Sequence, residues 1–304
     1  MSYIKPAELV DRMVDAGAHK MQLSARDTLI RAFMGAALLT MGAAFAVTVS
    51  AQTGQPLLGA VLFPVGFVIL YLFGYDLLTG VFTLGPLAVM ARRPGATLPA
   101  MLRNWGLVFL GNFGGAFLVA VLMAVYFTYG FSADPSPVGH AIGEIGHART
   151  IGYADHGAAG MLTLFIRGVL CNWLVSTGVV LALASESTTG KILGMWLPIM
   201  LFFYMGFEHS VVNMFLFPSG LLLGADFTLW DYLIWNEIPT VLGNLIGGLL
   251  LVGLPLYITH GHPRMRAVRT TALRRRGIVD TSVAPRTAAA ADEREREHEP
   301  VAVL

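Results

Sequence analysis

The residues with the most chemical promise lie in one stretch, Gly206-Phe207-Glu208-His209-Ser210-Val211-Val212-Asn213-Met214, where an acid and an imidazole interrupt an apolar chain. Ionisable groups are costly to hold among apolar ones, so such a pair is a functional candidate by default. Histidine can donate a hydrogen bond to an anion and can exchange a proton near neutral pH. Glu208 has a second reading, as a carboxylate that ties down irregular backbone by accepting amide N–H groups, with Asn213 in the same supporting set. A related stretch, Gly74-Tyr75-Asp76-Leu77-Leu78-Thr79-Gly80, lies 132 positions earlier. It places Asp76 opposite Glu208, with the same role of tying down irregular backbone, but Leu77 opposite His209, so no symmetric structural need accounts for the histidine. Thr79 either turns its hydroxyl toward a pathway or caps the helix that follows. Phe63, Phe67 and Phe202 precede the two stretches and serve either as packing or as a constriction.

Other chemistries are not expected. The histidines His140, His147, His156, His209, His260 and His262 are scattered without a metal-ligand spacing. Phosphate-binding loops, dinucleotide fingerprints and nucleophile elbows are missing from the sequence. No metal, cofactor, enzyme activity or nucleic-acid partner is therefore anticipated. The single cysteine, Cys171, rules out a disulfide framework within the chain.

These residues must be positioned by membrane helices. The chain is 55% hydrophobic and only 13% charged, against roughly 25% charged residues in soluble domains. A spanning helix needs about 20 mostly apolar residues. Runs near that length cover 29–50, 58–73, 104–129, 161–185, 192–207 and 234–259. The second and fifth stop short, at Gly74-Tyr75-Asp76 and Gly206-Phe207-Glu208, and another apolar piece follows each. Both read as broken helices.

The halves repeat. Asn104, Gly111, Asn112 and Gly115 return as Asn236, Gly243, Asn244 and Gly247, all shifted by 132 positions; Ile30-Arg31 and Gly42 return as Ile166-Arg167 and Gly178, shifted by 136. Three crossings per half make the second half enter from the opposite side. The expected fold is thus an all-α membrane protein of six spans in two inverted three-helix repeats. Broken helices at matched positions point to a substrate pathway, because irregular backbone at membrane depth must be buried in protein or line a watery cavity.

Charge gives the orientation. Lys5, Arg12, Lys20 and Arg26 precede the first run, Arg92, Arg93 and Arg103 follow the second, and a basic segment from Arg264 to Arg276 follows the last. The alternate connections carry few cations, so both termini are expected in the cytoplasm. No cleaved signal peptide is expected, since a charged segment leads into the first run. Three regions follow: 1–27 with an amphipathic helix, a channel domain over 28–261 with repeats at about 28–130 and 160–261, and a charged, disordered cytoplasmic tail over 262–304.

The two glycine-acid segments, together with Asn104-Trp105, Gly111-Asn112 and Arg167-Gly168-Val169-Leu170-Cys171-Asn172-Trp173-Leu174-Val175, resemble the formate/nitrite transporter family from about Pro6 to Gly261. The resemblance implies an aquaporin-like protomer, five protomers in a ring and one pore through each, in a bacterial-type inner or cell membrane. It implies His209 at the pore centre, Thr79 opposite, Asn172 nearby, and Phe63, Phe67, Leu77 and Phe202 as apolar constrictions. Conduction of a small monovalent anion, formate or nitrite, would be coupled to protonation, because a neutral acid crosses an apolar slit more cheaply than its anion. Family members commonly carry a lysine twelve positions before the glycine equivalent to Gly168; His156 stands there. A neutral imidazole attracts anions less than an ammonium, so altered selectivity or pH dependence is expected. The alternatives are an aquaporin-like channel for water or small neutral solutes, and a membrane scaffold or sensor that transports nothing.

Overall fold

A computed structural model describes residues 4–261, and the expected charged tail at 262–304 lies outside the described residues. The chain enters through α1 (Pro6–Gln22) and α2 (Ala25–Thr53), then the pair α3 (Pro56–Leu62) and α4 (Pro64–Leu72). It continues through α5 (Leu78–Met90), α6 (Leu98–Phe127), α7 (Pro137–Ala148) and α8 (Ile151–Ala154). Next come α9 (Gly157–Ala184), α10 (Thr188–Tyr204) and α11 (Ser210–Leu222). The last helices, α12 (Leu229–Tyr232), α13 (Ile238–Gly248) and α14 (Leu254–His260), are joined by π-helical turns into one rod. Among the described residues every regular element is helical. Four helices, Ala25–Thr53, Leu98–Phe127, Gly157–Ala184 and Leu229–His260, are long and apolar enough to cross a membrane.

Local chemistry sets the ends of these helices. Ser24, Thr97 and Ser187 accept backbone N–H bonds three residues on, so each caps the free donors of a long helix. Gly74 (φ 72°) and Gly206 (φ 65°) adopt the left-handed conformation that side chains resist, and each stops its helix there. The chain then runs extended through Leu77 and His209 before α5 and α11 begin. An interruption not anticipated falls at Phe63-Pro64, where proline lacks the N–H that would continue α3 into α4.

The long helices meet through glycine, as membrane helices do when small residues allow backbones to approach. A Cβ on Gly115 would run into the carbonyl oxygen of Phe33, and one on Gly247 into that of Val169. Gly111 and Gly243 face Leu29 and Phe165 in the same way. These contacts obey the sequence offsets, 132 on the glycine side and 136 on the other. Backbone cannot swing aside, so Gly115→Ala and Gly247→Ala should each cost about 1–3 kcal/mol through overpacking. Thermal unfolding in detergent checks this: each variant should melt below the parent.

α1 buries Leu9, Val10, Met13, Val14, Gly17, Ala18 and Met21 against the helices that follow it. Gly17 sits against the Leu84 carbonyl of α5. Lys20 pairs with Asp76 in the first break, and Asn104 donates to the Lys20 carbonyl at 3.1 Å. Arg93 pairs with Asp15 at 3.0 Å, which ties the far end of α5 to the same helix.

Candidate functional site

The two breaks are held by a matched pair of asparagines. Asn112 Oδ1 accepts Leu78 N–H at 2.9 Å, and its Nδ2 donates to the carbonyls of Ala32 (2.7 Å) and Asp76 (3.0 Å). Asn244 Oδ1 accepts Ser210 N–H at 3.0 Å, and its Nδ2 donates to Gly168 (2.8 Å) and Glu208 (2.9 Å). The remaining break amides, Asp76 N–H and Glu208 N–H, donate to the carbonyls of Arg31 and Arg167, each at 3.4 Å. A buried polar backbone group needs such a partner, and six groups find theirs through two side chains. These asparagines carried the repeat offset in the sequence, and what they clamp is a tertiary fact.

The acids therefore do not accept break amides. Backbone carbonyls and asparagines already occupy those donors, so each carboxylate reaches for side chains instead. Asp76 pairs with Lys20 of α1. Glu208 accepts from Tyr153 Oη (2.7 Å), Asn213 Nδ2 (3.0 Å), Asn236 Nδ2 (3.2 Å) and Arg149 Nη1 (3.4 Å). Asn213 also donates to Asn236 Oδ1 at 2.6 Å. Arg149, at the C-terminal end of α7, reaches Glu208 from a long connection, and that proximity has no sequence signal.

His209 and Thr79 come together from opposite breaks. His209 Nδ1 accepts Val212 N–H at 3.3 Å and so caps α11. In the neutral ring the proton then sits on Nε2, which lies 3.4 Å from Thr79 Oγ1. Thr79 does not cap α5. Phe202 stacks on the imidazole with ring centres 5.5 Å apart. Both His209 and Thr79 are almost wholly buried.

This contact stands between two cavities. His209 and Phe202 line one of about 500 Å³, with Glu144, Arg149, Phe203 and Val212. Thr79, Phe67 and Leu77 line another of about 350 Å³, with His19, Lys20 and Arg31. Phe63 lines neither; it packs behind the wall, edge-on to Phe202 at 5.5 Å and stacked on Phe203 at 4.0 Å. His156 is exposed beside the start of α9 and also lines neither cavity.

Asn172 acts from behind. Its Nδ2 donates to the carbonyls of Thr79 (3.1 Å) and Asn244 (2.7 Å), bridging the two clamped breaks. With the amide turned that way, Oδ1 must accept, and Ser176 Oγ donates to it at 3.1 Å. Thr83 lies 2.5 Å from Ser176 Oγ and donates to it in turn. The arrangement sets the separation of Thr79 from His209 through the Thr79 carbonyl on one side and the Asn244 clamp on the other. Two apolar-walled cavities, divided by one hydroxyl–imidazole contact, suit passage of a small solute that can hydrogen-bond and exchange a proton there.

The family model described as formate/nitrite transporter matches residues 7–258. An uncharacterized transporter of Bacillus subtilis, YrhG, is 34% identical over 272 residues, covering 86% of this chain and 95% of the relative. A probable formate transporter of Methanothermobacter thermautotrophicus is 36% identical over 249 residues, covering 76% of this chain and 88% of the relative. Among solved structures, an "FNT family ion channel" superposes with a TM-score of 0.71 at 25% identity, over 83% of this chain and 98% of that one. A "pentameric formate channel with formate bound" superposes with a TM-score of 0.65 at 23% identity, over 77% and 96%, a likeness of fold.

Proposed function

The chain belongs to the formate/nitrite transporter family, and from that membership we propose that it is a membrane channel for small monovalent anions, formate or nitrite, whose Thr79–His209 contact controls each pore. The observation that carries the reading is that contact, standing between a cavity lined by His209 and another lined by Thr79. The six crossings form two inverted repeats with the second and fifth broken, as in an aquaporin-like protomer. The matched asparagine clamps and glycine contacts support this, because both follow the sequence offsets of 132 and 136. Five such protomers form a ring, each with its own pore, and both termini face the cytoplasm, as the distribution of Lys and Arg supports.

An anion leaving either cavity for the contact sheds most of its water at the apolar walls of Phe67 and Leu77 or of Phe202. Desolvating a charge costs far more than desolvating a neutral acid. At the contact the anion can accept from the Thr79 hydroxyl and from His209 Nε2–H. The imidazole takes a proton at Nδ1 from the water of the entry cavity, in place of the Val212 N–H contact, and passes its Nε2 proton to the anion; the solute crosses as its neutral acid, and the proton is lost again to water in the far cavity. Asp76, Glu208, Asn213 and Asn172 hold the breaks in register, and Phe63 supports the Phe202 wall. His156 lies off this route, so the cation on the α7 side is Arg149.

Proteoliposomes test the reading directly. Formate and nitrite should move down their gradients at a rate that rises as pH falls, while osmotic water flux stays low. High water flux without anion flux would favour the neutral-solute channel, and absence of both would favour a scaffold.

A further inference from the structure

Arg31 and Arg167 occupy matched places, 136 positions apart, in α2 and α9. The structure treats them differently. Arg167 donates to Tyr153 Oη at 2.7 Å, with its guanidinium 5.6 Å from the Tyr153 ring centre, and Tyr153 donates on to Glu208. Arg31 lines the 350 Å³ cavity on the α1 side. Its guanidinium has no hydrogen-bond or ion-pair partner among the described residues.

The charge inside the two cavities differs accordingly. On the α1 side the polar lining is His19, Lys20, Arg31, Tyr71, Tyr75 and Thr79, and the Lys20 charge is matched by Asp76. One cation, Arg31, is left without a counter-charge. On the α7 side Arg149 is matched by Glu208, and Glu144 is left without a cation partner among the described residues. A partly enclosed charge without a counter-ion is costly, and an anion that enters relieves that cost only on the α1 side.

We propose that Arg31 is the docking group of an anion site in the α1-side cavity, which takes small oxyanions with two oxygens on one atom, carboxylate or nitrite. A guanidinium is permanently charged and presents paired N–H donors that match such an anion in bidentate fashion. The cavity is large enough for the anion to keep part of its water, given about 30 Å³ for each water molecule. The site is distinct from the Thr79–His209 contact: it captures the anion ahead of the apolar walls where desolvation is completed. The channel is consequently asymmetric, with tighter anion capture from the α1 side than from the α7 side. This inference rests on the anion-channel reading.

Cysteine chemistry tests it, because the native Cys171 is buried. Proteoliposomes carrying Arg31→Cys are assayed for formate flux before and after labelling with methanethiosulfonates bearing an ethylammonium, a methyl or an ethylsulfonate group. Losing one charge-assisted bidentate contact should raise the half-saturating formate concentration roughly tenfold or more. The cationic label should return it to within about threefold of the parent, as expected for a restored point charge without the guanidinium fork. The neutral label should leave it high, and the anionic label should raise it further. Parental half-saturation in unlabelled Arg31→Cys, or equal recovery with the neutral label, overturns the site. Loss of formate flux from the unsubstituted protein would overturn the channel reading beneath it, a separate and visible failure.

Discussion

Formate flux through His209→Asn proteoliposomes should fall by about a hundredfold at acidic pH and lose its dependence on pH, the lower range of what a positioned proton donor supplies. Asparagine is the informative replacement because His209 does two things. Its Nδ1 caps α11 by accepting Val212 N–H at 3.3 Å, and its Nε2 faces Thr79. Asparagine is among the best helix N-caps, so it can keep the first task while it cannot exchange a proton. His209→Ala loses both, and should add about 1 kcal/mol of destabilisation from the missing cap. The two variants together separate folding from conduction. Thermal unfolding should place the asparagine protein near the parent and the alanine protein below it, with flux equally low in both. If both variants conduct with the parental pH dependence, His209 has no part in the mechanism.

The second large effect is expected at the clamp. Asn244→Leu leaves Ser210 N–H and the carbonyls of Gly168 and Glu208 without their partner. Each unpaired buried group costs about 1–3 kcal/mol, so the variant should lose roughly 3 kcal/mol or more. Two of the three groups flank His209 on either side, so flux should fall even in the fraction that folds. Asn112→Leu strips Leu78 N–H and the carbonyls of Ala32 and Asp76 in the same way. Its melting temperature in detergent should drop by a similar amount, since the bonds match one for one. Either variant retaining the parental melting temperature would show that the breaks are held by something other than the asparagines.

Much of the site was readable because its signals are local. A glycine that ends an apolar run announces a left-handed turn, and Gly74 and Gly206 make those turns. A histidine and an acid amid apolar residues stand out by composition alone. The constant offsets aligned two weak patterns and turned them into paired breaks. The glycines that carry the offsets, Gly111, Gly115, Gly243 and Gly247, are the ones across which the long helices touch.

What stayed hidden was every partner supplied by a distant element. Asp76 finds Lys20 on α1, fifty-six positions away, and Glu208 finds Tyr153 and Arg149 fifty-five and fifty-nine away. The sequence suggested that these acids would take backbone amides, yet Asn112 and Asn244, 34 positions from the amides they accept, reach them instead. Which phenylalanine faces a cavity is likewise a matter of helix rotation: Phe67 and Phe202 do, and Phe63 packs behind them. The residue types alone determined that the helices break, and where, because backbone conformation and desolvation act on each residue by itself. Only the packing of spans against one another decided which donor meets which acceptor, because a buried polar group bonds to whatever neighbour the fold brings within 3 Å or so. Thr79 and His209 were legible as candidates, and their meeting at 3.4 Å belongs to the tertiary structure.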